Sequence, residues 1–135
     1  ARILGIDDRV RWAGYQDDLP GIFAATDVLL FTAAGSDWGH RVLSEAQGCG
    51  VPVVAVRVTG VEDLVEDGRT GCLVTPDATA VTVAVDDLLT SPDLRSDMAQ
   101  RAVAAAETRR FEPVGRALAS HLMDVLHRRS DIAVT

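Results

Sequence analysis

Asp37, His40, Arg41 and Glu45 fall close together in GSDWGHRVLSEAQGCGVPVVA, residues 35–55. A loop that opens into a helix offers backbone N–H groups and the positive end of a dipole to an anion, above all a phosphate. A carboxylate two turns into that helix does not help to hold the anion. It can accept hydrogen bonds from hydroxyls lying just beyond, as an acid does for ribose in dinucleotide-binding folds. Arg41 is the arginine best placed to reach a diphosphate, ahead of Arg11 and Arg57. His40 sits where an imidazole meets a phosphate or a sugar. Structural readings stay open beside these: Glu45 paired with an arginine, Asp37 as a loop or cap residue, His40 as packing.

At about 100° per residue from Val42, Ala46 falls near 40°, Gly50 near 80°, Leu43 near 100° and Cys49 near 340°. That is one apolar arc, and Glu45, near 300°, lies at its edge. The elements around this helix alternate. Residues 10–12, 28–31, 52–56 and 71–74 read as short strands, the second and third apolar enough to be buried on both faces. Helices are expected at 17–25, capped by an acid with an early proline, and at 39–47, ended by Gly48 and Gly50. A short one follows at 61–66. Asp77 caps a helix over 78–89, Ser91-Pro92-Asp93 opens one reaching about 107, and Glu112-Pro113 opens the last, reaching about 127. Strands at βα spacing followed by helices make an open α/β sheet. Residues 1–6 read as the tail of a helix whose start is absent, which marks the chain as a fragment.

Composition excludes several classes of function. The 135 residues are 47% hydrophobic, enough for one domain with a sizeable core. All thirteen basic residues are arginines and the net charge is −7, which argues against nucleic acid or an anionic membrane surface as partner. Cys49 and Cys72 have no CxxC or Cys/His companions and read as small core residues rather than zinc ligands or a disulfide. The longest apolar run, 51–56, is too short for a membrane span and no signal segment opens the chain. A cytoplasmic location is expected. Trp12 reads as core, and His121 and His127 as surface or packing residues.

The order RVRWAGY, DLPGIFAATDVLLFTA, WGHRVLSEAQGCGVPVVAV and TGVEDLVEDGRTGCLVTPD, with helices after it, resembles the C-terminal, donor-binding domain of retaining GT-B-fold glycosyltransferases of the group 1 type. The likeness is close over residues 5–90 and looser to about 127. SEAQGCGVPVV and VEDGRTGCLV, in this order and distance, are its most specific pieces.

The resemblance implies a Rossmann-like open parallel sheet with helices on both faces, the C-terminal half of a GT-B fold, incomplete at its N-terminal side. Residues 1–135 would then be one nucleotide-sugar (donor) binding domain of a two-domain enzyme whose N-terminal acceptor-binding domain is missing, inactive when isolated. The implied reaction moves a sugar from a nucleotide-diphospho-sugar, a substrate rather than a cofactor, to an acceptor hydroxyl with retention and without a metal. Two acids separated by seven residues carry it in that family, the second gripping the ribose and the first contacting the donor sugar. Glu45 takes the second place. Gly39, His40 and Arg41 would line the diphosphate through backbone amides, where charge develops on the leaving group. The basic pair that clamps the phosphates in the family would lie upstream of Ala1.

The first acid departs from the pattern. Counting back from Glu45 gives Asp37, a shortened acid at the right spacing, and assigns it the catalytic position. Aligning on the aromatic–Gly landmark, Trp38-Gly39, instead puts Ser36 there. Thr59-Gly60 stands where two glycines are common, and Asp63 at a usual Glu position. A non-catalytic α/β module binding a nucleotide or a partner protein is the competing reading. A receiver-like domain is a third, although the acidic pair at a first strand and the later lysine that it needs are missing.

Overall fold

The structure, a computed structural model, describes residues 1–33 and 40–132, and the side chains of these except at 111, 113 and 125–132. In chain order the elements are α1 (Leu19–Ala24), β1 (Leu29–Phe31), α2 (Arg41–Gly48), β2 (Val53–Val56), β3 (Gly71–Val74), α3 (Ala78–Thr90), α4 (Pro92–Thr108) and α5 (Phe111–Ile132). The strands form one parallel sheet in the spatial order β1-β2-β3, with Leu30 opposite Val54 and Val54 opposite Cys72.

Every residue of β2 is buried, as a central strand covered on both faces requires. Its alternation sorts the core into two layers. Val53 and Ala55 pack with Phe23, Phe31, Leu43, Ala46, Val61 and Val65 on the α2 side, while Val54 packs with Leu88 of α3 and Met98 of α4 on the other. Helices therefore cover both faces of an open α/β sheet, the architecture that the sequence resemblance implied.

Local chemistry sets the element ends. The carboxylate of Asp18 accepts a 3.0 Å hydrogen bond from the Gly21 N–H at the start of α1, with Pro20 in the first turn. Asp77 does the same for α3 through the Ala80 N–H at 2.9 Å. Past the end of α2, Gly50 at φ 75° lets its own N–H reach the Gln47 carbonyl and the Val51 N–H reach that of Ala46. This paired closure fits a left-handed residue and turns the chain into β2.

Four expectations are corrected. Residues 10–12 form no strand: they join no β-ladder, the Val10 N–H turning back to the Asp7 carbonyl, and Trp12 is 83% exposed rather than core. An apolar run without a hydrogen-bonding partner is not a strand. Residues 61–66 form turns instead of a helix, with the N–H groups of Leu64 and Val65 sharing the Val61 carbonyl at 3.0 and 2.9 Å. Val61 and Val65 are drawn into the core, and one shared acceptor propagates no helical ladder. At the N-terminus a 3-10 turn, Arg2–Leu4, stands where a helix tail was expected, stopped by Gly5 at φ 63°. Finally, Cys49 is exposed and Cys72 only half-buried. The buried arc of α2 runs through Ala46, Leu43 and Gln47, because hydrogen bonds draw the Gln47 amide inward and leave Cys49 outside.

Candidate functional site

Parallel strands deliver the segments after β1 and β2 to one edge of the sheet, and α2 starts at that edge. Its cap position is His40, whose ring meets the Phe31 ring edge-on with centroids 5.9 Å apart. On another side the imidazole lies against Gly60. A Cβ at position 60 would come within 2.9 Å of His40 Cε1 and 3.1 Å of Nδ1, and Gly60 has φ 88°. Only glycine combines that backbone with that approach. The Nε2 atom of His40 is buried and has no hydrogen-bond partner among the described residues. A buried polar nitrogen left so costs about 1–3 kcal/mol. An incoming hydrogen-bonding group would recover that cost.

At the next residue, Arg41 Nε lies 2.6 Å from Oε1 of Glu45, one turn further along α2. The arginine side chain is 87% exposed and the glutamate 28%, so the pair is held on the glutamate side and free to swing on the arginine side. An exposed pair of this spacing contributes only about 0.3–0.5 kcal/mol. Moreover, Arg41 stands at the positive end of α2, where the helix dipole disfavours a cation. Arg41, Ser44, Glu45 and Gly48 line one wall of a cleft of about 310 Å³, and Ala106, Glu107, Arg109 and Arg110 from the α4–α5 junction line the other. Glu107 and Arg110 pair across 3.0 Å on that second wall.

The structure thus pairs Arg41 with Glu45 on the wall of that cleft and sets His40 at the cap of α2 against Phe31 and Gly60. Asp37 and Gly39, with Ser36 and Trp38, lie outside the described residues. Arg57, another diphosphate candidate, is turned to Asp67 at 3.0 Å, whose other oxygen accepts from the Leu73 N–H at 2.9 Å. Arg11 lies exposed on the N-terminal segment, and His121 is exposed on α5. Among the described residues no group of three or more His, Cys, Asp or Glu is placed to hold a metal ion, and no helix is long and apolar enough to cross a membrane.

A polar network behind the site escaped the sequence reading. Gln47, fully buried on α2, donates from Nε2 to Thr70 Oγ1 at 3.2 Å and accepts from Arg109 Nη1 at 3.1 Å. Arg109 also donates to the carbonyls of Leu64 at 3.0 Å and Asp63 at 3.2 Å. Gln47 carried little signal, since at about 140° on the same wheel it lies beyond Leu43, outside the apolar arc. Arg109 carried none, since its partners are 45 to 62 residues away in the chain.

Comparison with known proteins gives a consistent result. A family model described as glycosyl transferases group 1 matches residues 1–91. The N-acetyl-alpha-D-glucosaminyl L-malate synthase of Bacillus anthracis is 36% identical over 73% of this chain and 26% of its own length. The D-inositol 3-phosphate glycosyltransferase of Streptomyces scabiei is 35% identical over 92% of this chain and 28% of its own length. Among solved structures, HepE of Anabaena in complex with UDP and glucose superposes with a TM-score of 0.81 at 30% identity, covering 90% of this chain and 34% of HepE. The chain therefore spans about a quarter to a third of the length of these relatives.

Proposed function

This chain belongs to the group 1 glycosyltransferase family, and from that premise we propose that it is the donor-binding domain of a retaining glycosyltransferase. It takes a nucleotide-diphospho-sugar and serves transfer of the sugar to an acceptor hydroxyl, together with an acceptor-binding domain supplied by the rest of a two-domain protein. Glu45 accepts the ribose hydroxyls. The amides at the start of α2, with Arg41 and His40, receive the diphosphate and take up the charge that develops as it leaves. Asp37 contacts the donor sugar. The reading assigns phosphate binding to these groups and invokes no metal or cofactor. It places the reaction in the cytoplasm, a setting supported by the free thiols of Cys49 and Cys72.

The observation that carries this reading is the composition of the first turn and a half of α2. A cation at the unfavourable end of a helix, a weakly paired carboxylate beside it and a buried imidazole nitrogen without a partner among the described residues are together a poor arrangement for stability. They are a good one for a ligand carrying phosphates at one end and vicinal hydroxyls next to them.

During the reaction the bond from the anomeric carbon to the diphosphate oxygen breaks and a bond to the acceptor oxygen forms on the same face, the acceptor proton leaving to the diphosphate. Proton NMR of turnover by the two-domain protein tests this, because the anomeric coupling constant reports configuration. Retention is expected. Inversion would overturn the mechanistic part of the proposal. Tight nucleotide binding with no turnover of UDP-, GDP- or ADP-sugars would favour a non-catalytic nucleotide-binding module, which the existing Arg41–Glu45 pair also accommodates.

A further inference from the structure

We propose that Arg109 is a positioning residue for the donor site, acting as a clamp that fixes α2 and the turn at residues 58–65 in one mutual register. This inference rests on the donor-site reading of α2. Arg109 closes α4, and its guanidinium reaches two separate segments. To α2 it gives the 3.1 Å bond into Gln47 Oε1, and to the turn it gives the bonds to the Leu64 and Asp63 carbonyls at 3.0 and 3.2 Å. Guanidinium has no acceptor, so it dictates that the oxygen of the Gln47 amide faces it and the nitrogen faces Thr70. Thr70 Oγ1 in turn accepts from the Glu66 N–H at 2.9 Å, which ties the same network back to the end of the turn.

The turn needs these bonds. It is too short to satisfy its own carbonyls as a helix would, and a cation at the end of such a turn is the ordinary way to do so. Its opposite end carries Gly60, which seats the imidazole of His40. Arg109 thus holds α2 twice, directly at Gln47 and indirectly through the turn at His40. Glu45 lies between those two points. A fully buried glutamine, a half-buried arginine and two main-chain carbonyls form a rigid junction, whereas the Arg41–Glu45 pair on the open side is loose. The planar fork of arginine is what lets one side chain serve both segments, and lysine offers only a point charge.

The test measures nucleoside diphosphate affinity of the two-domain protein by calorimetry with UDP, GDP and ADP, for wild type, Arg109→Met and Arg109→Lys, alone and combined with Glu45→Ala. A displaced α2 costs binding out of proportion to lost contacts, since small misplacements of binding groups are expensive. Arg109→Met is expected to weaken the nucleotide that wild type binds by about tenfold and Arg109→Lys by about threefold. In the Glu45→Ala background the same changes should have a smaller effect, because one of the groups that the clamp positions is already gone. A merely structural role would lower the melting temperature and leave affinity unchanged, and that outcome overturns the proposal. So would equal losses in both backgrounds. Should Arg109→Met not fold, the lysine variant carries the same comparison. If wild type binds none of the three nucleotides, the donor-site reading itself fails and this inference with it, which separates the two failures.

Discussion

Glu45 has two partners competing for it, one present in the structure and one proposed. The Arg41 pair is weak by position and by exposure, so a ligand that offers Arg41 a phosphate and Glu45 a pair of hydroxyls replaces it at little cost. The sequence placed Glu45 at the edge of an apolar arc, where its spacing alone favoured a solvated or arginine-paired side chain, and only the family resemblance turned the reading to a ribose contact. Of the two, the structure shows the arginine pair. His40 was legible only as a residue at a helix start. Its packing against Gly60 comes from segments that meet in space, not in sequence. Gly60→Ala should therefore be costly well beyond a surface change, by about 1–3 kcal/mol, from left-handed strain together with a displaced imidazole. Chemical denaturation would measure the loss, and a midpoint unchanged from wild type would contradict the packing described. For the first acid, Asp37→Asn in the two-domain enzyme should depress turnover or sugar-donor affinity and spare the bare nucleoside diphosphate, with Ser36→Ala nearly silent. Equal losses for donor and bare nucleotide would remove Asp37 from the sugar.

Elements with their own chemical punctuation were the legible ones. Asp18 with Pro20, Asp77, and the Gly48 to Gly50 stop each mark an end that the structure keeps to within two residues. Elements lacking a partner or a cap were misread: the run at 10–12 was apolar enough for a strand but has no ladder, and 61–66 was short enough to be captured by the core as turns. Local pattern carries no information about either circumstance. The Asp77 cap makes a measurable claim. The Thr75 hydroxyl, and then the Ala80 N–H, hold the Asp77 carboxyl below its usual range. With the folded value below the unfolded one, this bond's contribution is present above the unfolded value of about 3.9 and is lost as pH falls through the folded value. Melting temperature should thus fall between about pH 5 and pH 2 more steeply in wild type than in Asp77→Asn, which keeps a cap but does not titrate there. Parallel slopes for the two proteins would show that the cap bond is not charge-dependent.

For the molecule as a whole, the open sheet with helices on both faces and the family were legible from the order and distance of a few motifs, because those motifs follow the alternation of helices and strands that builds the sheet. What lay beyond the sequence was the arrangement behind that edge, where α4 sends Arg109 across to α2. The proposed donor site uses a cleft of about 310 Å³ between α2 and the α4–α5 junction, and transfer between two substrates needs a second domain to orient them and exclude water. Residues 1–135 taken alone should accordingly bind nucleotide without transferring sugar, and donor turnover by this domain at an ordinary enzymatic rate would show otherwise. The central claim, that α2 carries a donor site gripped by Glu45, is tested most directly by calorimetric titration of UDP, GDP and ADP into wild-type protein and Glu45→Ala. At least one of the three should bind wild type, and the substitution should weaken it by about 1.5–3 kcal/mol with the fold intact, the range for charge-assisted hydrogen bonds. No binding by wild type, or an affinity that Glu45→Ala leaves unchanged, would contradict it.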